Sequence, residues 1–264
     1  MTNFADVAGL TVHYQLENTH LEGTPVVFVN SLGSDFRIWD GVIAQLKRPV
    51  LRYDKRGHGL SDAPSGLYSI ADFADDLLGL LDHLKLKRIL LVGISVGGQI
   101  ALEFASRFPE RLAGVVFCDT GMKIGTSDLW NARIAAVNDG GLISISESVM
   151  QRWFDSRFHA QQPARVRGFQ NMLERTSSLG YVATCAALRD SDLHNAAQIV
   201  REARVKTLVV CGQDDQSTPV ALSQELAQTL ETRLELIEDA GHLPCIQQPE
   251  SLANVINSFL EVMA

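Results

Sequence analysis

Three stretches of this chain hold side chains that could do covalent chemistry together. Gly93-Ile94-Ser95-Val96-Gly97 follows an apolar run and precedes a helical pattern, which sets one serine on a sharp strand-to-helix turn. Glycines flank it because the backbone at such an elbow passes too closely for a Cβ. A helix over Val96 to Phe108 points its unpaired N–H groups and positive end at the place where the Ser95 hydroxyl emerges, so an anionic intermediate is favoured there. A serine hydroxyl is a poor nucleophile at neutral pH; it needs a base, and the base needs an orienting carboxylate. His242, in Asp239-Ala240-Gly241-His242-Leu243-Pro244, follows the last strand-like run and can hang over a sheet edge. Asp214 and Asp215 lie in the loop Cys211 to Pro219 after the preceding run, where either could serve as the acid or cap the next helix. His13, His20, His83, His159 and His194 read as hairpin or helix residues, and His58 reads as packing within the tight Arg56-Gly57-His58-Gly59 loop.

Holding these groups at one rim requires a sheet whose strands end side by side. Apolar, β-branched runs alternate with helical periodicity, the pattern of a mostly parallel sheet with helices on both faces. Strands are predicted at Pro25 to Asn30, Pro49 to Asp54, Arg88 to Val92, Gly114 to Asp119, Lys206 to Cys211 and Arg233 to Glu238, with an antiparallel edge over Phe4 to Gln15. Helices are predicted at Asp35 to Leu46, Ile70 to Leu84, Val96 to Phe108, Val220 to Leu230 and Glu250 to Leu260. Between Gly121 and about Val200 no strand run occurs. Four amphipathic stretches, Asp128 to Val137, Ser146 to Phe158, Pro163 to Arg175 and Ser178 to Arg189, read there as helices. The expected organisation is a core of residues 1–120 and 201–264, with residues 121–200 as a helical cap inserted after the sixth strand, over the carboxyl edge where open α/β sheets bind ligands.

Composition limits the partners. A hydrophobic content of 46% suits a packed core, and no stretch reaches the ~18 apolar residues of a membrane span. The start, Met1 to Asp6, has neither a basic cluster nor an apolar run, so a cytoplasmic location is expected. A net charge of −8 without a lysine-arginine run argues against nucleic acid and anionic membranes. Cys118, Cys185, Cys211 and Cys245 lack metal-ligand spacing and are expected to be buried free thiols.

Ser95, an aspartate and His242, each in a loop after a successive strand, follow the order of the serine hydrolases built on such sheets. The chain resembles the α/β-hydrolase superfamily over nearly its whole length. The Gly-x-x-Asp-x-x-x-Pro run from Gly212 to Pro219 matches that family with Asp215 in the acid position, and Asp54-Lys55-Arg56-Gly57-His58-Gly59-Leu60-Ser61-Asp62 is similar to its scaffold loop. The resemblance implies a Ser95, Asp215 and His242 triad and an oxyanion hole made by the backbone N–H groups of Leu32 and Val96. One departure is Asn30-Ser31-Leu32-Gly33-Ser34-Asp35, where many relatives carry His-Gly; a backbone role survives that change. Ser95 argues against epoxide hydrolases and haloalkane dehalogenases, relatives that place an aspartate at the nucleophile position.

The Asn-Ser-Leu-Gly start with Trp39, together with Trp130-Asn131-Ala132-Arg133 and Arg152-Trp153-Phe154, is similar to the 3-oxoadipate enol-lactonases of aromatic compound degradation. That resemblance implies hydrolysis of 3-oxoadipate enol-lactone to 3-oxoadipate through a serine acyl-enzyme, without metal or organic cofactor. An anionic lactone asks for apolar walls and a fixed cation, and arginine's planar fork suits a carboxylate. After Lys123, the stretch to Val200 holds seven arginines, seven acids and no lysine. Arg133 is the first expected anchor and Arg152 the second, with Trp130 and Trp153 as walls; surface ion pairing and burial on the core are their alternatives. The rival activities are those of a carboxylesterase, a perhydrolase or a carbon-carbon bond hydrolase, and from another class a non-catalytic ligand-binding member of the fold.

Overall fold

The computed structural model describes residues 3–263; Met1 and Thr2, part of the N-terminal run read above, lie outside them. Its eight-stranded sheet contains β1 (Asn3–Val7), β2 (Leu10–Glu17), β3 (Val26–Val29), β4 (Val50–Tyr53), β5 (Ile89–Ile94), β6 (Leu112–Cys118), β7 (Thr207–Gly212) and β8 (Leu234–Ile237). The order is β1-β2-β4-β3-β5-β6-β7-β8, with only the opening hairpin and the β2–β4 pair antiparallel. Every residue of β3, β4 and β5 is buried, as expected for parallel strands covered on both faces. β3 lies between β4 and β5, so the chain after β3 first winds one way and then returns past it. The loops after β3 and β5 therefore diverge from a crevice at the carboxyl edge, the usual ligand position in such sheets.

The helices that brace this edge follow local signals. α2 (Ile70–His83) begins in a capping box between Ser69 and Asp72 and buries Ile70, Phe73, Ala74, Leu77, Leu80 and Leu81. α3 (Val96–Arg107) continues directly from β5. α10 (Val220–Thr229), α11 (Pro244–Gln247) and α12 (Pro249–Met263) follow β7 and β8, α12 burying Leu252, Ala253, Ile256, Phe259 and Leu260.

The helix expected from Asp35 to Leu46 is instead a 3₁₀ turn, Phe36–Trp39, followed by the short α1 (Asp40–Ile43). Asp35 caps the turn by accepting the Arg37 N–H at 3.0 Å, and the tighter winding brings Phe36 and Trp39, both buried, onto one side. Six helices occupy the chain between β6 and β7: α4 (Ser127–Gly140), α5 (Ile143–Trp153), α6 (Ser156–Gln161), α7 (Pro163–Glu174), α8 (Ser178–Asp190) and α9 (His194–Glu202). The single helix predicted over Ser146 to Phe158 is two, because Phe154 is extended and Asp155 accepts the Phe158 N–H at 2.7 Å to start α6. α9, absent from the sequence reading, packs on α3 and α10. No helix among the described residues is long and apolar enough to cross a membrane.

Candidate active site

Ser95 is the residue between β5 and α3, and its backbone sits at φ 59° and ψ −123°. That region is costly for a residue with a Cβ, by roughly 1–3 kcal/mol, and the surroundings must hold it. They do so through both backbone groups: the Ser95 N–H donates to the Cys118 carbonyl at 3.0 Å, and the Ser95 carbonyl accepts from the Thr120 hydroxyl at 2.7 Å and the Gly98 N–H at 2.9 Å. A Cβ on Gly93 would collide with the Gly97 carbonyl, and one on Gly97 with the Val29 carbonyl. The glycines expected at the elbow are thus required by backbone crossing backbone.

His242 and Asp215 meet in the interior. His242 Nδ1 lies 2.9 Å from Asp215 Oδ2, and both residues are buried. Asp215 Oδ1 accepts the N–H groups of Ser217 at 2.7 Å and Thr218 at 3.1 Å, while the Thr218 hydroxyl is 2.6 Å from Oδ2. Burial would raise this carboxyl; the His242 ring and the Thr218 donors outweigh it and hold Asp215 below the usual carboxylate range. Asp214 is exposed, so the structure separates two neighbours that local sequence left equivalent. With Nδ1–H donating to Asp215, the lone pair of His242 is on Nε2.

Ser95 and His242 line one cavity of about 130 Å³ beneath α4, α5 and α8. Ser31 and Leu32, in the loop after β3, line it too, and Val96 opens α3, where a backbone N–H has no partner within its helix. Trp130, Arg133, Arg152 and Trp153 all line the cavity. Trp130 is fixed by an indole N–H donated to the Ile124 carbonyl at 2.7 Å. Phe154 does not join them but stacks on Phe158 at 4.8 Å.

The two arginines have no acidic partner among the described residues. Arg133 donates to the Tyr181 hydroxyl at 3.2 Å and lies over the Trp130 ring at 5.9 Å; Arg152 has a buried Nη2 without a hydrogen-bond partner. Neither forms an ion pair among the described residues, although 7 acids lie between Lys123 and Val200. Burial lowers the Arg152 pKa and the charge of Arg133 lowers it further, so the pair is a local excess of positive charge inside an acidic protein.

Asp119 and Lys55 entered the sequence reading only as a strand end and part of a scaffold loop. Asp119, fully buried with φ 46°, accepts the Gly212 N–H on Oδ1 at 2.8 Å and has no partner for Oδ2. Burial, and then the neighbouring charge of Asp215, push its carboxyl well above the usual range. Donor atoms of Asp119, Asp215 and His242 lie within 4.8 Å of one another. Both Asp215 oxygens are already engaged with Ser217, Thr218 and His242, which does not suit the set to a cation. Lys55 is buried against the loop after β3.

His58 and His13 make structural contacts. His58 Nε2 accepts the Gly33 N–H at 3.0 Å, its Nδ1 lies 3.1 Å from the Arg56 carbonyl, and burial keeps it neutral. His13 pairs with Asp54 at 2.6 Å beside a larger open depression of about 860 Å³, whose lining includes no serine or cysteine.

Residues 24–249 match the family model described as alpha/beta hydrolase fold. The chain is 34% identical over 239 residues to 3-oxoadipate enol-lactonase 2 of Acinetobacter baylyi, covering 89% of this chain and 88% of that protein. It is 30% identical over 251 residues to 2-hydroxy-6-oxo-2,4-heptadienoate hydrolase of Pseudomonas putida, covering 90% and 89%. The crystal structure of the enol-lactonase from Burkholderia xenovorans LB400 is similar at a TM-score of 0.92 and 31% identity, covering 98% of this chain and 100% of that one.

Proposed function

The chain belongs to the alpha/beta hydrolase fold family, and we propose that within it this protein opens 3-oxoadipate enol-lactone by a serine acyl-enzyme route. The observation that carries the substrate is the uncompensated arginine pair in the cavity that Ser95 and His242 also line. A neutral ester leaves those charges without a partner, whereas a small lactone with an acetate arm supplies one carboxylate to two guanidinium forks. The volume of about 130 Å³ favours a compact ring over a drug-sized ester. The similarity to enol-lactonases supports the same reading.

In this scheme His242 Nε2 takes the Ser95 proton as the hydroxyl oxygen attacks the lactone carbonyl. Asp215 holds the ring in the Nδ1–H tautomer and stabilises the imidazolium. The N–H groups of Leu32 and Val96 receive the oxyanion, a contribution of about 3 kcal/mol for one donor in comparable sites. Collapse of the tetrahedral intermediate breaks the ring C–O bond while the His242 imidazolium gives its proton to the leaving enolate oxygen, a better leaving group than an alkoxide; the enol formed tautomerises to the ketone, and His242 is neutral again. Water deprotonated by His242 then cleaves the acyl-enzyme, and Ser95 recovers its proton.

The deciding assay is the loss of ultraviolet absorbance as the enol-lactone opens. Turnover by the wild type, abolished in both Ser95→Ala and His242→Ala without loss of fold, is the expected result; full activity in either variant excludes the scheme. Arg133→Ala and Arg152→Ala are each expected to raise KM for the anionic lactone by roughly tenfold, about the value of one charged hydrogen bond. Unchanged KM in both would remove the carboxylate from their side. The similarity to the P. putida hydrolase supports a second reading, hydrolysis of a 2-hydroxy-6-oxo-2,4-dienoate, which the same assay run with that substrate separates.

A further inference from the structure

Lys55 is among the largest fully buried side chains, 1% exposed, in a protein whose other lysines are at or near the surface. Its Nζ donates to the Ser31 carbonyl at 2.7 Å. That carbonyl belongs to the same planar peptide as the Leu32 N–H, and in a trans peptide the two point in opposite directions. A donor that fixes the carbonyl on the far side therefore fixes where the N–H aims. Ser31 and Leu32 both line the cavity that holds Ser95. The Ser31 carbonyl also accepts from the Ser34 hydroxyl at 3.0 Å and the Ser34 N–H at 3.4 Å, but Lys55 makes the shortest contact and the only charged one.

The next peptide is held from the same direction, since the Gly33 N–H donates to His58 Nε2 at 3.0 Å. Lys55 and His58 both come from the loop headed by Asp54, whose carboxylate accepts the Phe36 N–H at 2.9 Å and the Leu60 N–H at 3.0 Å. A loop built only for packing would place an apolar side chain at 55. An ammonium inside the protein is costly, and burial lowers the Lys55 pKa to about 7, with Asp54 and Asp35 opposing the fall. Its position is explained if the charge acts on the peptide it touches.

We propose that Lys55 is a positioning residue for the oxyanion hole, holding the Ser31–Leu32 peptide so that the Leu32 N–H faces the Ser95 carbonyl adduct and is polarised toward it. The inference rests on the serine-hydrolase reading above but not on the identity of the lactone. A hydrogen bond to the carbonyl strengthens the N–H of the same amide as a donor, an effect that matters most when the oxyanion forms.

The test compares the wild type with Lys55→Met, which keeps the length of the side chain and removes the donor. The substrate is p-nitrophenyl acetate, which has no carboxylate and so does not call on Arg133 or Arg152. The probe for the hole is phenylboronic acid, whose tetrahedral adduct on the serine places an oxygen where the oxyanion would be. The expected result is a kcat lowered by about tenfold to a hundredfold, with KM within about twofold and the Kd of phenylboronic acid raised in step with the loss of kcat. A kcat within about twofold of wild type, or a lowered kcat with unchanged phenylboronic acid affinity, overturns the proposal. Where thermal melting shows Lys55→Met to be unfolded, Lys55→Ala with added methylamine is measured instead, and recovery of kcat and of phenylboronic acid affinity by the amine supports the role while recovery of neither overturns it. A wild type that neither hydrolyses p-nitrophenyl acetate nor is labelled by a fluorophosphonate retracts the serine-hydrolase reading itself, and this inference with it.

Discussion

Two aspartates stand close together at the end of the sheet, and their environments shift their carboxyls in opposite directions. Asp215 is held below the usual carboxylate range despite its burial, while Asp119 is pushed well above it by burial and by Asp215. Asp215→Asn is therefore expected to lower kcat by about 10³ to 10⁴, because an amide no longer enforces the Nδ1–H tautomer of His242. Asp119→Asn keeps an oxygen to accept the Gly212 N–H and leaves the Asp215–His242 contact in place, so its kcat at pH 7 is expected to stay within a few-fold of wild type. Their signs against pH differ as well. The depressed Asp215 stabilises the fold above the unfolded carboxyl pKa and loses that contribution as pH falls through its folded value. The raised Asp119 binds its proton more tightly folded than unfolded, so its contribution declines as pH rises from the unfolded carboxyl pKa toward its folded one. Melting curves from acid to neutral pH should thus show Asp119→Asn gaining on the wild type as pH increases; a constant difference would contradict the assignment. Ser95 and His242 were legible in the sequence because each sits in a short local signature, and Asp215 because of its spacing from Gly212. Asp119 was not, since its chemistry comes from a neighbour ninety-six residues away that only the folded sheet supplies.

At the scale of elements, the loop after β4 and the start of α8 meet backbone to backbone. A Cβ on Gly180 would collide with the Cα of Gly57, and Gly57 itself needs φ +75°. The same region touches the turn after β3, where the Thr176 hydroxyl lies 3.4 Å from the Gly33 carbonyl. Gly180→Ala is expected to cost about 1–3 kcal/mol by thermal melting, the usual range for forced overpacking, and to lower kcat more than KM because the displaced loop carries Lys55 and His58. A variant with unaltered melting and kinetics would show that α8 can shift freely. The strands were readable because β3, β5 and β6 are apolar on both faces, and α2 because its caps and periodicity agree. The helices between β6 and β7 were harder to delimit. Their inward faces meet the cavity as well as the core, so periodicity ran across the break at Phe154, and only the Asp155 cap marked it.

For the whole molecule, all four cysteines are free and buried, and burial raises every one of their thiol pKa values, Cys185 to about 12. Iodoacetamide is expected to modify none of them in the native protein and all four after denaturation, so the labelling rate should follow global unfolding; rapid labelling at neutral pH without denaturant would refute this. Composition announced the ordinary core and the acidic surface, whereas the concentration of positive charge inside the cavity needed the three-dimensional pairing pattern, because sequence cannot tell a paired arginine from a bare one. The left-handed backbone of Ser95 has a consequence that reaches beyond turnover. Glycine would relax there, and after its greater freedom in the unfolded chain is subtracted, Ser95→Gly should still melt higher than the wild type, by about 1 kcal/mol. In a lineage where hydrolysis no longer confers an advantage, drift and selection for robustness would pull in the same direction at this codon, and loss of the hydroxyl would be among the earliest marks of a descendant that has changed its trade.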